Sequence, residues 1–408
     1  MTSRADDVVF VGGGPAGMMA GLLFARAGCQ VRVLEKHADF FRDFRGDTVH
    51  PSTMEILDQL GMLDRFLKRP HNRLDKAILR VAGREWNIGD LSQLDTPAPF
   101  IAMMPQWDFL DFLRDEARAF PGFRLAMERP VAGFIEEGGR VVGVTLADGE
   151  IVRARLVIAA DGRDSIVREL LPVEDLGAPM DVFWFRVAKP PGTEGALRGN
   201  VEQGRLLVMI DRGDYWQCAF LIPKGAAERY RAKGVGAIRA EVAAAAPDLD
   251  VDELDEISDL HLLTVKLDRL SRWSRPGLLA IGDAAHAMSP IGGIGINLAI
   301  QDAVAAANIL AGPLCRGGDV DELHQRVRKR REWPTRVIQA GQKAAQDRII
   351  GRLLQSTAPI RRAPFIVRLL DRFPLLRRIP GRLIGLGVRR ERVRSPLAPR
   401  RPPSPSRG

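Results

Sequence analysis

The sequence predicts an α/β fold: a Rossmann-like domain carrying an inserted antiparallel β-sheet and a helical C-terminal region. Three observations predict it. A β-α-β unit of about 30 residues opens the chain around the turn Gly12-x-Gly14-x-x-Gly17. Three apolar strands, far apart in sequence, end in polar signals at 12–17, at Asp161-Gly162 and at Gly282-Asp283. Between the last two, residues 182–222 change to longer strands joined by Gly- and Asp-containing turns.

Each element follows from its own pattern. Asp7 to Val11 reads as a short buried strand, followed by a helix to about Ala27, which Gly28 closes. Gln30 to Leu34 is the next strand and ends at Glu35. Helices are expected at about Ser52–Leu60 and Trp107–Ala119, with mixed strand-like text at 74–101 between them. Phe134 to Val157 is β-rich, with turns at Glu-Gly-Gly (137–139) and Ala-Asp-Gly (147–149). After the long strands, helical patterns return at 225–246, an apolar strand runs from Leu278 to Ile281, and a helix starts near Ile296. Residues 321–390 read as helical with Pro interruptions, and 395–408 as disordered by composition.

Composition removes several function classes. Hydrophobic residues make 46% and charged residues 27% of the 408, as in a soluble globular protein. Cys29, Cys218 and Cys315 form no CxxC or Cys/His ligand set, so no zinc ribbon, metal centre or disulfide framework is expected, and a reducing compartment is the simplest fit. The N-terminus lacks the apolar core of a signal peptide. No uninterrupted apolar run of about 18 residues argues for a spanning helix. The net charge of +9 is local: residues 361–408 hold 14 Arg against Asp371 and Glu391. The rest of the chain is nearly neutral, so no nucleic-acid partner follows.

The glycine turn carries the first chemistry. Gly12 allows the tight turn, Gly14 lets the backbone approach a pyrophosphate, and Gly17 lets helix and strand approach closely. The N–H groups at the helix start stabilise phosphate charge. Glu35 ends the second strand, where a carboxylate accepts ribose hydroxyls and repels a 2′-phosphate. This motif alone leaves NAD and FAD both open.

The other two signals narrow the choice. With AADGRDSIVREL at 159–170 and GDAAHAMSP at 282–290, the chain resembles the class A FAD-dependent monooxygenases, the aromatic hydroxylases of the para-hydroxybenzoate hydroxylase type. The resemblance spans about residues 7–310. It implies FAD as cofactor, NADH or NADPH as co-substrate, and O2. It further implies hydroxylation of an apolar, aromatic or quinone-like small molecule through a C4a-hydroperoxyflavin. By the same resemblance Gly12, Gly14, Pro15, Ala16 and Gly17 cradle the pyrophosphate and Glu35 binds the adenosine ribose. Arg45, in FRGDTVHP, contacts the pyrophosphate near the nicotinamide path, and Gln106 contacts the flavin. Asp161, with Gly162, serves FAD and NAD(P)H. Asp283, with Gly282, holds the ribitol chain. Pro290, Gly292, Gly293, Gly295, Ile296 and Asn297 flank the ring system. Arg45, Asp161 and Pro290 are the candidate catalytic residues, and His286 is expected to be a packing residue.

The implied division is a discontinuous FAD domain (1–73, 98–176, 266–320), a substrate domain (74–97, 177–265), a helical region (321–394) and a tail. Trp184, Arg186, Trp216 and Cys218 are candidate substrate-pocket residues, although period-2 alternation leaves core as their other reading. A halogenase signature, Trp-x-Trp-x-Ile-Pro, is absent, as is the Tyr-x-Trp-x-Phe-Pro pattern of prenyl-lipid reductases. A reductase of an apolar lipid stays as the alternative activity. The location expected is cytoplasmic. Apolar residues interleaved with arginines over 349–394 are read either as a packed helical layer or as a peripheral contact with the membrane's inner face.

Overall fold

A computed structural model describes residues 5–41, 48–190, 197–252, 254, 256–356 and 358–398. β1 (Asp6–Val11), α1 (Pro15–Arg26) and β2 (Val31–Leu34) form the first β-α-β unit. β1 lies inside a parallel sheet, between Ile151–Ala159 and β2. The sheet extends in parallel to Phe123–Ala126 beyond β2 and to Leu278–Ala280 on the other side. Strands buried on both faces have no reason to alternate, which is why they read as unbroken apolar runs. The register sets Val11 beside Ala159, and Ala159 beside Ala280. Gly12, Asp161 and Gly282 therefore leave the sheet side by side, at the carboxyl ends where open α/β sheets bind ligands. α1 is buried from Ala16 to Ala25 because it lies between this sheet and the helix Gly295–Ala306.

The inserted sheet has seven strands, ordered 261–263, 180–188, 215–223, 205–211, 197–202, 76–81 and 84–90. It is antiparallel except where 197–202 runs parallel to 76–81. One face is sealed. Phe183, Phe185, Leu207, Met209, Trp216, Cys218 and Phe220 form a core with Ile238 and Val242 of the helix Val235–Ala245. The opposite face carries Val182, Trp184, Leu206, Val208, Ala219 and Leu221, which meet Ile291, Ile350 and Leu354.

A long helix, His324–Ala345, continues through a π-turn at Gln346–Ile350. Two further helices, Phe365–Arg372 and Pro374–Leu386, lie over the edge strand 84–90. The crossing is close: a Cβ on Gly381 would sit 2.3 Å from the Asp90 carbonyl oxygen. One described helical stretch, Ile291–Cys315, has the length and apolarity to cross a membrane, and 83% of its apolar window is buried inside the protein.

Two expectations are corrected. Cys29 and Cys315 are joined by a disulfide, with Cα atoms 4.9 Å apart across 286 residues of sequence. The fold brings the end of α1 beside the helix Gly312–Cys315, a proximity that spacing in sequence hides. Cysteine usage then no longer argues for a reducing compartment. The tail is also ordered over 395–398: the Ala398 N–H donates to the Arg26 carbonyl, and the Arg26 guanidinium donates to the Ser395 carbonyl. Residues 399–408 lie outside those described.

Candidate active site

The glycine turn is built by close approach. Gly12 has φ of +99°, and a Cβ there would lie 2.6 Å from Asp161 Cα. A Cβ on Gly17 would lie 2.0 Å from the Gly12 carbonyl oxygen, so helix and strand can meet only at glycine. At Gly14 the nearest neighbour of a Cβ would be 3.9 Å away, leaving its outer side open. Gly14 caps α1 without any side-chain hydrogen bond, and Pro15 at the first helical position has no N–H to satisfy. Pro15, Ala16 and Gly17 thus present an uncapped helix start of the kind that binds phosphate.

Glu35 is buried and holds the turn from the side. Its carboxylate accepts from the Gly13 N–H at 2.9 Å and from the His37 N–H at 3.1 Å. Asp161 accepts from the Ile166 N–H at 3.2 Å through Oδ2, while its Oδ1 is buried with no hydrogen-bond partner among the described residues. Burial pushes its carboxyl above the usual aspartate range, against hydrogen bonds from Ser165 and the Ile166 N–H. Gly162 follows at φ of +89° in open space. Asp283 is partly exposed, 3.6 Å from Arg163 Nη2, and its carbonyl accepts from Arg168 at 2.8 Å. An uncapped helix start, an open backbone at Gly14 and an orphaned carboxylate oxygen fit the pyrophosphate and hydroxyls of a dinucleotide.

The third strand end leads into Pro290, a turn at Ile291–Gly293 and the helix Gly295–Ala306. Gly292 and Gly293 take φ of +78° and +62°, and a Cβ on Gly293 would meet Thr48 Oγ1 at 2.8 Å. Thr48 donates to the Gly293 carbonyl at 2.9 Å. Asn297, buried, accepts from the His50 N–H at 3.0 Å and from Thr53 Oγ1 at 2.7 Å. Gly295 and Ile296 begin the helix beside it. His50 is fully buried, which lowers its pKa to about 4 despite its hydrogen bond with the Ile384 carbonyl. It is neutral at pH 7.

Beneath this turn lies a charged centre. Asp302, wholly buried, accepts from the Gly282 N–H at 3.0 Å, from His286 Nε2 at 2.6 Å and from Arg331 Nε at 2.9 Å. Burial alone would raise its carboxyl; His286 and Arg331 outweigh that and hold it below the ordinary aspartate value. Arg331, also buried, lies 3.3 Å from Glu391. His286 is thus held in this structural network, beside the Trp273 ring.

The four pocket candidates divide between the faces of the seven-stranded sheet. Trp184 and Arg186 pair with Ala219 and Gln217, on the face that meets Ile291. Trp216 and Cys218 are buried on the sealed face under the helix Val235–Ala245, where they belong to the core. Alternation of apolar residues on both faces hid this. Gln106 starts the helix Gln106–Ala117 and is partly buried. Arg45 lies outside the described residues. A cleft of about 570 Å³ opens beside Phe40, Phe41 and Trp107, away from the Trp184 face. No group of His, Cys, Asp and Glu that could hold a metal occurs among the described residues.

Sequence reading missed Asp302, Arg331 and three buried glutamines, Gln339, Gln342 and Gln346. The signal was present, since 331, 335, 339, 342 and 346 fall on one helical face, where polar residues demand partners when buried.

Comparison with known proteins agrees with this geometry. A family model described as an FAD binding domain matches residues 5–341. The chain is 34% identical to 6-methylpretetramide 4-monooxygenase of Streptomyces rimosus over 96% of its own length and 94% of the relative's. It is 32% identical to rifampicin monooxygenase of Streptomyces venezuelae over 73% of its length, spanning 62% of that protein. Among solved structures, the OxyS anhydrotetracycline hydroxylase of Streptomyces rimosus superimposes with a TM-score of 0.68 at 24% identity, covering 95% of this chain and 77% of that one. These relatives favour oxygen insertion over the reductase alternative. The chain belongs to the FAD-binding-domain family and is an FAD-dependent monooxygenase of the class A aromatic hydroxylase type.

Proposed function

We propose that the protein hydroxylates a fused-ring phenolic compound of polyketide type, using NADH or NADPH and O2. The single observation that carries the substrate class is the 34% identity, over nearly the whole chain, to 6-methylpretetramide 4-monooxygenase. When bound, FAD would supply the oxygen chemistry, with the nicotinamide as reductant. The chain's residues bind, orient and exclude water. In this reading Gly12 to Gly17 and Glu35 hold the adenosine diphosphate, Asp161 and Asp283 take the hydroxyl-bearing chain, and Pro290 with Gly292 to Asn297 flank the ring. Segments 74–97 and 177–265 form the substrate unit, with Trp184 and Arg186 on its ligand side. An apolar sheet face over the ring suits a flat substrate and keeps the site dry. The test is NAD(P)H oxidation by the FAD-loaded protein with tetracyclic phenols, following 18O from O2 into product. Oxidation without oxygen incorporation on any fused-ring phenol would remove this reading.

We further propose a cytoplasmic location with peripheral contact to anionic membrane. Phe365, Leu375 and Ile379 are 70%, 71% and 65% exposed, and the exposed Arg368, Arg372, Arg378 and Arg382 lie on the same two helices. Apolar side chains at the acyl boundary with arginines at lipid phosphates support the contact. Co-sedimentation with anionic but not zwitterionic vesicles, weakened by salt, is expected; failure to bind anionic vesicles at low salt removes it.

A further inference from the structure

Pro290 interrupts the backbone bonding of the segment that carries it. The short strand His286–Ala287 pairs with Asp268–Leu270, and that pairing stops at Ala287. Beyond it, Pro290 has no N–H to donate. The backbone groups on either side still need partners, because Ser289 is buried and Ile291 half-buried.

Side-chain amides from the helix His324–Ala345 and its π-turn supply them. Gln342 Nε2 donates to the Ser289 carbonyl at 3.0 Å and to the Ile291 carbonyl at 2.9 Å. Its Oε1 accepts from the Ser289 N–H at 3.3 Å. One amide thus grips the chain immediately before and after Pro290. Gln339 Nε2 donates to the Asp268 carbonyl at 2.8 Å and the Ala287 carbonyl at 3.3 Å. Gln346 Nε2 donates to Ser289 Oγ at 2.8 Å. The spacing 339, 342, 346 puts the three on one helical face. All are buried, as is Ser289. The π-turn begins at Gln346, and such turns concentrate at functional sites.

We propose that Gln342, assisted by Gln339 and Gln346, is a positioning residue for the flavin. It sets the height of Pro290 and of the Gly292–Gly293 turn against the ring system, and so tunes how tightly the ring is held and how readily it is reduced. This rests on the hydroxylase reading, in which that segment flanks the ring. A methionine at 342 keeps the length and loses all three hydrogen bonds.

The experiment titrates FAD into apo-protein and records the visible flavin spectrum and the reduction potential of the bound form. Gln342→Met is compared with wild type and with Gln325→Leu, an exposed position on the same helix. Gln342→Met should weaken FAD binding about 5- to 150-fold, the range of 1–3 kcal/mol, and shift both spectrum and potential. Gln346→Met should act in the same direction with a smaller effect, and Gln325→Leu should match wild type. Folded Gln342→Met with wild-type affinity, spectrum and potential overturns the proposal. If Gln342→Met does not fold, Gln346→Met decides by the same readouts, and unchanged values overturn it. Wild type that binds no FAD overturns the hydroxylase reading as well, so the two failures are distinguishable.

Discussion

The glycine cradle and the seven-stranded sheet solve opposite problems. In the cradle, backbone meets backbone: Gly12 and Gly17 sit where any side chain would occupy another residue's atoms. The residue type is dictated by space, and the space is taken by the neighbouring backbone of Ala160, Asp161 and Gly12 itself. In the sheet, side chains meet side chains. Either face can be apolar, and Trp184 and Trp216 carry equal weight in the sequence while one lies toward Ile291 and the other lies under a helix. Steric exclusion writes a motif, whereas burial writes only a pattern. A turn built from exclusion can be read residue by residue; a face built from burial waits for the element that covers it.

The largest expected effect breaks the cradle. Gly17→Val forces α1 off β1, and FAD retention should fall more than about 100-fold with about 3 kcal/mol of overpacking strain. Gly14→Ala should leave the empty protein's stability unchanged, since its Cβ meets nothing nearer than 3.9 Å, while FAD affinity falls. Thermal melts of both proteins with and without FAD check the pair. Equal apo-protein stabilities for the two would contradict the steric account.

Next is the buried charge beneath the turn. Arg331→Met leaves Asp302 with His286 and the Gly282 N–H but without its guanidinium, and should cost about 3–5 kcal/mol in urea unfolding. The wild-type contribution of Asp302 depends on pH. Its folded pKa is depressed, so the stabilisation is present above the unfolded aspartate value, near 3.9, and is lost as pH falls through the folded value. Stability measured from about pH 6 to about pH 3 should drop more steeply in wild type than in Asp302→Asn. Parallel curves would remove Asp302 from the account.

On the sealed face, Trp216→Ala should cost about 3 kcal/mol by leaving a cavity, with no change in KM relative to kcat for any substrate. Asp161→Asn runs the other way. Its carboxyl is raised by burial, so ionisation at neutral pH opposes folding, and the neutral amide should raise apo-protein stability at pH 7. A lower melting temperature for apo Asp161→Asn at pH 7 would sink that sign.

These contrasts explain what could be read in the sequence. The parallel sheet, its three strand ends and the glycine turn were legible because each carries an exclusion or an uninterrupted apolar run. The disulfide was not, since Cys29 and Cys315 are neighbours only after α1 docks. The ordered tail at 395–398 is held by Arg26, through its helix-end carbonyl and its guanidinium, contacts that composition does not reveal. The glutamine ladder escaped because glutamine is ordinary on an exposed helix, and only burial makes its amide obligatory.

The smallest expected effect sharpens the comparison at the open face. Trp184 Nε1 is buried and has no hydrogen-bond partner among the described residues. An unpartnered donor on a purely structural residue is a cost, so Trp184→Phe should leave unfolding stability within about 0.5 kcal/mol of wild type, in contrast to Trp216→Ala. If the donor serves a substrate oxygen, KM for fused-ring phenols should rise about 2- to 10-fold, the worth of one ordinary hydrogen bond, while FAD affinity is unchanged. The effect should vanish for a substrate analogue lacking that oxygen. A stability loss as large as that of Trp216→Ala, with KM unchanged, would place Trp184 in the core and leave the pocket to be sought on another surface.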